Sequence, residues 1–177
     1  MGSDLESDDD RRYREVASTF GPALVRLARV YERDEVRRGD LLQEIHVALW
    51  RSLSLFDGRC SLRTWVYRVA HNTALSYVAR ERRERLRADV SLEELEAQPG
   101  PPFDERALDT RKACELLTAL IDRLPPIDRQ VILLYLEGLE AAEIGEVTGL
   151  SSGNVSTKVH RLKRALAKRF HGRETDA

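Results

Sequence analysis

The 177-residue sequence has little cysteine: only Cys60 and Cys114, far apart in the chain. Two distant thiols give neither a disulfide framework nor a zinc-binding spacing, and a reduced, cytoplasmic setting is expected. Histidine is scarce too, and His46, His71, His160 and His171 form no ligand spacing with cysteines or acids. No phosphate-binding loop and no nucleophile motif occurs, so an enzyme, a metal site, a cofactor and a small-molecule substrate are all unexpected. No apolar run reaches the roughly 18 residues needed to cross a bilayer, and the N-terminus lacks the apolar core of a signal peptide. Period-two alternation and β-branched clusters are sparse, which argues against strands. One absence is local. No acid occurs between Glu146 and Glu174, although the chain as a whole balances 29 Lys and Arg against 30 Asp and Glu.

What is present comes in blocks. Residues 1–10 hold five acids and no base, and read as an acidic disordered tail. Residues 79–87 hold five Arg against two Glu, 88–110 hold seven acids against one Arg, and 147–173 hold seven Lys or Arg. Helical periodicity dominates, so the expected fold is all-α: two small helical domains joined by a flexible linker, the second containing a helix-turn-helix. A first helix is expected at about 11–32, kinked near Gly21-Pro22, with Leu24, Leu27, Ala28 and Tyr31 as its apolar stripe. A second, at about 39–54, repeats Leu41, Leu42, Ile45, Ala48, Leu49 and Leu53. A third, at about 61–87, carries Leu62, Val66, Val69, Thr73 and Tyr77. Three prolines and a glycine in "AQPGPPFDER" place an acidic linker over 88–110, between domains at 11–87 and 111–171. In the second domain, Leu116, Leu117, Leu120, Ile121 and Leu124 mark one helix. Pro126 starts the next and Gly138 ends it.

Function is concentrated in three stretches. "AAEIGEVTGLSSGNVSTKVHRLKR" at 141–164 reads as a helix-turn-helix. Small Gly145 lets the second helix pack across the first, Gly149 takes the positive φ of the turn, and Ser151 or Ser152 caps the second helix. That helix offers donors suited to phosphates and major-groove base edges. Its basic continuation, Lys163, Arg164, Lys168 and Arg169, suits phosphate neutralisation. "SLRTWVYRVAHNTALSYVARERRERLR" at 61–87 puts Ser61, Trp65, Arg68 and Asn72 on one helical face. Aromatics interleaved with Arg fit single-stranded nucleic acid, although Trp65 equally suits a core position. "DLLQEIHVALWRSL" at 40–53 has a polar face of Asp40, Gln43, Glu44 and Arg51 that fits either a partner helix or solvent. Two rival readings stay open on these residues: a helix-turn-helix regulator that binds duplex DNA alone, and an adaptor that sequesters a partner through 40–53.

In this order, the three stretches resemble the extracytoplasmic-function (ECF) sigma factors of bacterial RNA polymerase, over about residues 12–170. "FDGRCSLRTWVYRVAHNTAL" is similar to that family's −10 element segment, and "LPPIDRQVILLYLEGLEAAEIGEVTGLSSGNVSTKVHRLKRAL" to its −35 element domain. The resemblance implies that Asn72 helps hold a flipped base of the non-template strand, in a pocket completed by the loop Phe56, Asp57, Gly58, Arg59 and Ser61. Trp65 and Arg68 then support the opened strand, and Arg80, Arg82 and Arg83 lie on the upstream DNA backbone. Asp40, Leu41, Gln43, Glu44, Val47 and Trp50 are implied to dock on the polymerase β′ clamp coiled coil. The second domain is implied to sit at the β flap and to meet the −35 element with Asn154, Ser156, Thr157, Lys158, His160, Arg161 and Arg164. Phosphate contact is the safer role for Lys158, which cannot bind bidentately. Thr148, where the family carries an apolar residue, is expected to loosen the turn. The linker acids Glu93, Glu94 and Glu96 are implied to thread near the RNA path. An anti-sigma factor is the implied regulator, acting by clamping the two domains together, since no added C-terminal sensing domain is expected.

Overall fold

An acidic run opens the first helix, where negative side chains favour the exposed N–H groups of a helix start. In the computed structural model, which describes residues 8–87 and 110–171, this helix is α1 (Asp8–Tyr31). It begins inside the segment expected as a disordered tail. Pro22 lies within it and the helix runs through. The rest of the tail, at 1–7, and the linker acids lie outside the described residues. Every described element is an α-helix.

Helix α2 (Glu35–Leu53) starts at Asp34, whose Oδ1 accepts the Arg37 backbone N–H at 2.9 Å. That bond holds the Asp34 carboxyl below its ordinary pKa. Leu41, Ile45, Leu49 and Leu53 recur every four residues and are fully buried. Each stabilises the fold by about 1.5–3 kcal/mol relative to exposure. Leu42 and Ala48 only flank this stripe.

Helix α3 (Leu62–Arg87) is capped by Ser61, whose Oγ accepts the Thr64 N–H at 3.0 Å. Its buried face differs from the expected stripe. Val66, Tyr67, Ala70, His71, Ala74 and Tyr77 are inside, whereas Leu62, Val69 and Thr73 are half-buried. The reason is that α3 is covered on two sides, by α1 and α2 and by the second domain. A single amphipathic stripe underestimates such a face.

The second domain comprises α4 (Thr110–Asp122), α5 (Pro126–Leu136), α6 (Ala141–Thr148) and α7 (Ser152–His171). Pro126 occupies the first position of α5, where its missing N–H is not needed. Gly138 follows α5 with φ +77°. Helices α5, α6 and α7 pack on one another around Val131, Ile132, Leu134, Ile144, Val155 and Leu162. The two domains are not separate bodies: α4 packs on α1, and α5 and α6 pack on α3.

Candidate nucleic-acid interface

The turn before α3 is built by Gly58, at φ +76°, a left-handed conformation that a side chain would strain. Asp57 accepts the Arg59 N–H at 3.1 Å and pairs with its guanidinium at 2.8 Å. The loop is joined to α3 by aromatics, with the Phe56 and Trp65 rings 5.7 Å apart. Trp65 is therefore neither core nor free. It is half-buried on Phe56 and donates its indole N–H to Ser52 Oγ at 3.3 Å. Arg68 is half-buried one turn on, and Asn72 is exposed, its amide unengaged among the described residues. Trp65, Arg68 and Asn72 recur at helical spacing along α3, and Phe56 of the loop packs against Trp65. Ser61 differs, because its hydroxyl is occupied as the α3 cap.

Beside this face runs an open groove of about 640 Å³ between α2 and α3. Asp40, Gln43, Glu44 and Val47 line one wall and Tyr77 and Arg80 the other. Glu44 and Arg80 join the walls, with guanidinium–carboxylate distances of 2.6 and 3.3 Å. Arg80 also lies over the Tyr77 ring. Arg80 was expected on DNA and Glu44 on polymerase, whereas here they neutralise one another. Arg82 and Arg83 are exposed. Trp50 is 47% exposed and donates its indole N–H to Asp10 at 3.0 Å. Leu41 is a correction: it has no exposure and belongs to the core, so it cannot meet a partner.

In the helix-turn-helix, Gly149 takes φ +76° and its N–H bonds Gly145 O at 2.8 Å. Gly145 is essential for a reason other than helix–helix packing. A Cβ there would lie 2.6 Å from the Leu150 carbonyl oxygen, in the turn itself. Thr148 does not loosen the turn. It donates to Ile144 O at 2.7 Å and accepts the Leu150 N–H at 3.4 Å, stitching both sides. Ser151 caps α7 through the Asn154 N–H at 3.3 Å.

On α7, Asn154, Ser156, Thr157, His160, Arg161 and Arg164 are exposed. The hydroxyls of Ser156 and Thr157 donate to carbonyls one turn back, leaving lone pairs facing outward. Sequence reasoning missed Asp128. This acid of α5 is 8% exposed and accepts Lys158 Nζ at 2.6 Å and Arg161 at 3.1 Å. It fixes α7 on α5, and it spends the Lys158 charge that was expected on a phosphate. No periodic signal marks a single acid in an apolar helix. Lys163 bonds the Tyr135 hydroxyl at 3.1 Å, while Arg164 and Lys168 point to solvent.

A half-buried aromatic pair on the same side of α3 as exposed Asn72, and an exposed basic helix in a helix-turn-helix, are the candidate nucleic-acid surfaces of this helical protein. The comparisons with known proteins sharpen that reading. Residues 16–84 match the family model described as Sigma-70 region 2, and residues 114–166 match Sigma-70, region 4. The chain is 27% identical over 173 residues to the RNA polymerase sigma factor CnrH of Cupriavidus metallidurans, covering 94% of this chain and 91% of that protein. It is 34% identical over 143 residues to the ECF RNA polymerase sigma factor SigE of Mycolicibacterium smegmatis, covering 77% of this chain and 53% of that protein. Its fold matches the sigma factor RpoE of Bartonella quintana, solved in complex with the anti-sigma factor NepR, with TM-score 0.70 and 19% identity over 92% of this chain and 98% of that one. The chain belongs to the ECF sigma factors, a family of non-enzymatic initiation factors for RNA polymerase.

Proposed function

We propose that this sigma factor docks on core RNA polymerase through α2, contacts a promoter at two elements, and starts strand opening at the face of α3. The observation that carries the reading is exposed Asn72 on the α3 face that also carries the half-buried Phe56–Trp65 pair, together with a helix-turn-helix on the other domain. An aromatic platform stabilises an unstacked base by about 1–3 kcal/mol. Extruding a base costs a few kcal/mol, so a platform with one polar reader is matched to that task. Arg164 and Lys168 position α7 on phosphates, and Asn154, Ser156, Thr157, His160 and Arg161 meet base edges. Gln43, Val47 and Trp50 form the polymerase-facing patch. Among the described residues, no helix is long and apolar enough to cross a membrane, in keeping with a cytoplasmic protein. The anti-sigma factor bound to the Bartonella quintana relative supports a protein regulator of that kind here.

The test is transcription from purified parts: this chain, core bacterial polymerase and a library of genomic promoter fragments. Initiation at a defined subset is expected, lost with Asn72→Ala and with Arg161→Ala. Absence of initiation, with duplex binding that persists without polymerase, would instead identify a helix-turn-helix regulator.

A further inference from the structure

Asp128 sits in the first turn of α5, where the helix dipole favours an acid, and its carboxylate reaches α7. Its Oδ1 accepts Lys158 Nζ at 2.6 Å and its Oδ2 accepts Arg161 Nη2 at 3.1 Å. The two cations are held differently. The Lys158 side chain is 26% exposed, whereas that of Arg161 is 65% exposed. Nε and Nη1 of Arg161 have no partner among the described residues. A guanidinium carries its N–H groups in a fixed plane, and Nη2 belongs to both of its two-pronged edges. Whichever Nη2 hydrogen Asp128 takes, one complete fork of two parallel N–H groups is left. Of the side chains proposed above to meet bases, Arg161 alone is tied to a second helix among the described residues. Ser156 and Thr157 donate to carbonyls of α7 itself.

We infer that Asp128 is a positioning residue for promoter recognition: it aims Arg161 at a guanine of the −35 element and withholds Lys158 from the phosphates. The inference rests on the promoter reading above. Guanine is the base whose O6 and N7 accept such a fork side by side in the major groove. An unrestrained cation on an exposed helix is drawn to the nearest phosphate, which carries no sequence information. Held through Nη2, the Arg161 fork keeps its plane and gives up less side-chain freedom on binding. The carboxylate also cancels one of the two positive charges, so the cluster presents one to DNA rather than two. Helix α7 thereby gives up affinity for any duplex and gains preference for one base. Asp128 acts through Arg161, because at 8% exposed it is too enclosed to meet DNA itself.

The experiment uses the full chain assembled with core bacterial RNA polymerase, and duplex promoter fragments in which each −35 position is varied in turn. Binding is followed by fluorescence anisotropy as NaCl rises from about 0.05 M to about 0.2 M. The unsubstituted chain should prefer guanine at one position by about tenfold over the other bases. Arg161→Lys keeps the charge but loses the fork, and should abolish that preference. Asp128→Asn should remove most of it at the same position. The same variant should steepen the log–log salt dependence by about 0.9, as Lys158 turns to a phosphate. The double variant should lose no more preference than either single one. Helical circular dichroism establishes that each variant is folded. If Asp128→Asn unfolds, Asp128→Glu takes its place: the charge stays, the carboxylate moves by one methylene, and the guanine preference should fall with the salt dependence unchanged. Guanine preference kept by the folded Asp128 variant, or an equal loss of binding to every fragment, overturns the inference and leaves the sigma reading intact. So does an unsubstituted complex that selects a −35 sequence with no preference for guanine. An unsubstituted complex that selects no −35 sequence at all overturns both.

Discussion

Asp128 is a nearly buried carboxylate held by two cations of the DNA-facing helix. Removing one partner of such a group leaves the others under-satisfied, at about 1–3 kcal/mol. Asp128→Asn is therefore expected to lower the unfolding free energy measured in urea by that amount, and an unchanged midpoint would show that the pairing contributes nothing. Asn72 sits at the other extreme, exposed and unengaged among the described residues. Asn72→Ala should leave stability unchanged within about 0.5 kcal/mol while abolishing permanganate-detected opening of a promoter. The contrast explains what was legible at this scale. Polar residues at helical spacing, such as half-buried Arg68 and exposed Asn72, show up in the sequence. Ion pairs to a buried acid join residues distant in the chain, here 128 with 158 and 161, and leave no local pattern.

At the scale of elements, turn chemistry was readable because it is local. Gly149 has the positive φ its place in "VTGLSS" requires, and Pro126 begins its helix. Gly145 was marked for its smallness, but its neighbour is the Leu150 carbonyl, a contact that only the folded turn creates. Gly145→Ala must displace backbone, and a loss of about 1–3 kcal/mol is expected. Duplex binding by the second domain should fall with it, measurable by fluorescence anisotropy. A variant that binds normally would show that the turn has room. In α2, Leu49→Ala should cost about 2–5 kcal/mol in chemical denaturation, because the fully enclosed site cannot collapse around the missing atoms.

For the whole molecule, His71 sets an acid limit. It is fully buried, bonds the Tyr31 hydroxyl at 3.0 Å, and burial depresses its pKa from 6.5 to about 3. The folded chain keeps this imidazole neutral, while the unfolded chain takes up a proton below its ordinary pKa. Its stabilisation is therefore complete above pH 6.5 and is lost as pH falls toward 3. Between pH 7 and pH 5.5, a loss of roughly 1–2 kcal/mol is expected in urea titrations. His71→Gln keeps a partner for Tyr31 without titrating, and should flatten that slope; an equally steep slope would place the titration elsewhere.

The sequence alone determined the all-helical content, the turns at Pro126 and Gly149 and the order of the two domains, because each depends on residues within a few positions of one another. Only the tertiary structure decided that Glu44 and Arg80 neutralise each other, that Asp128 restrains Lys158, and that Glu137 fastens one domain to the other. Those outcomes turn on which side chains share space after packing, and separations such as the 111 residues between Arg26 and Glu137 put them beyond any periodicity.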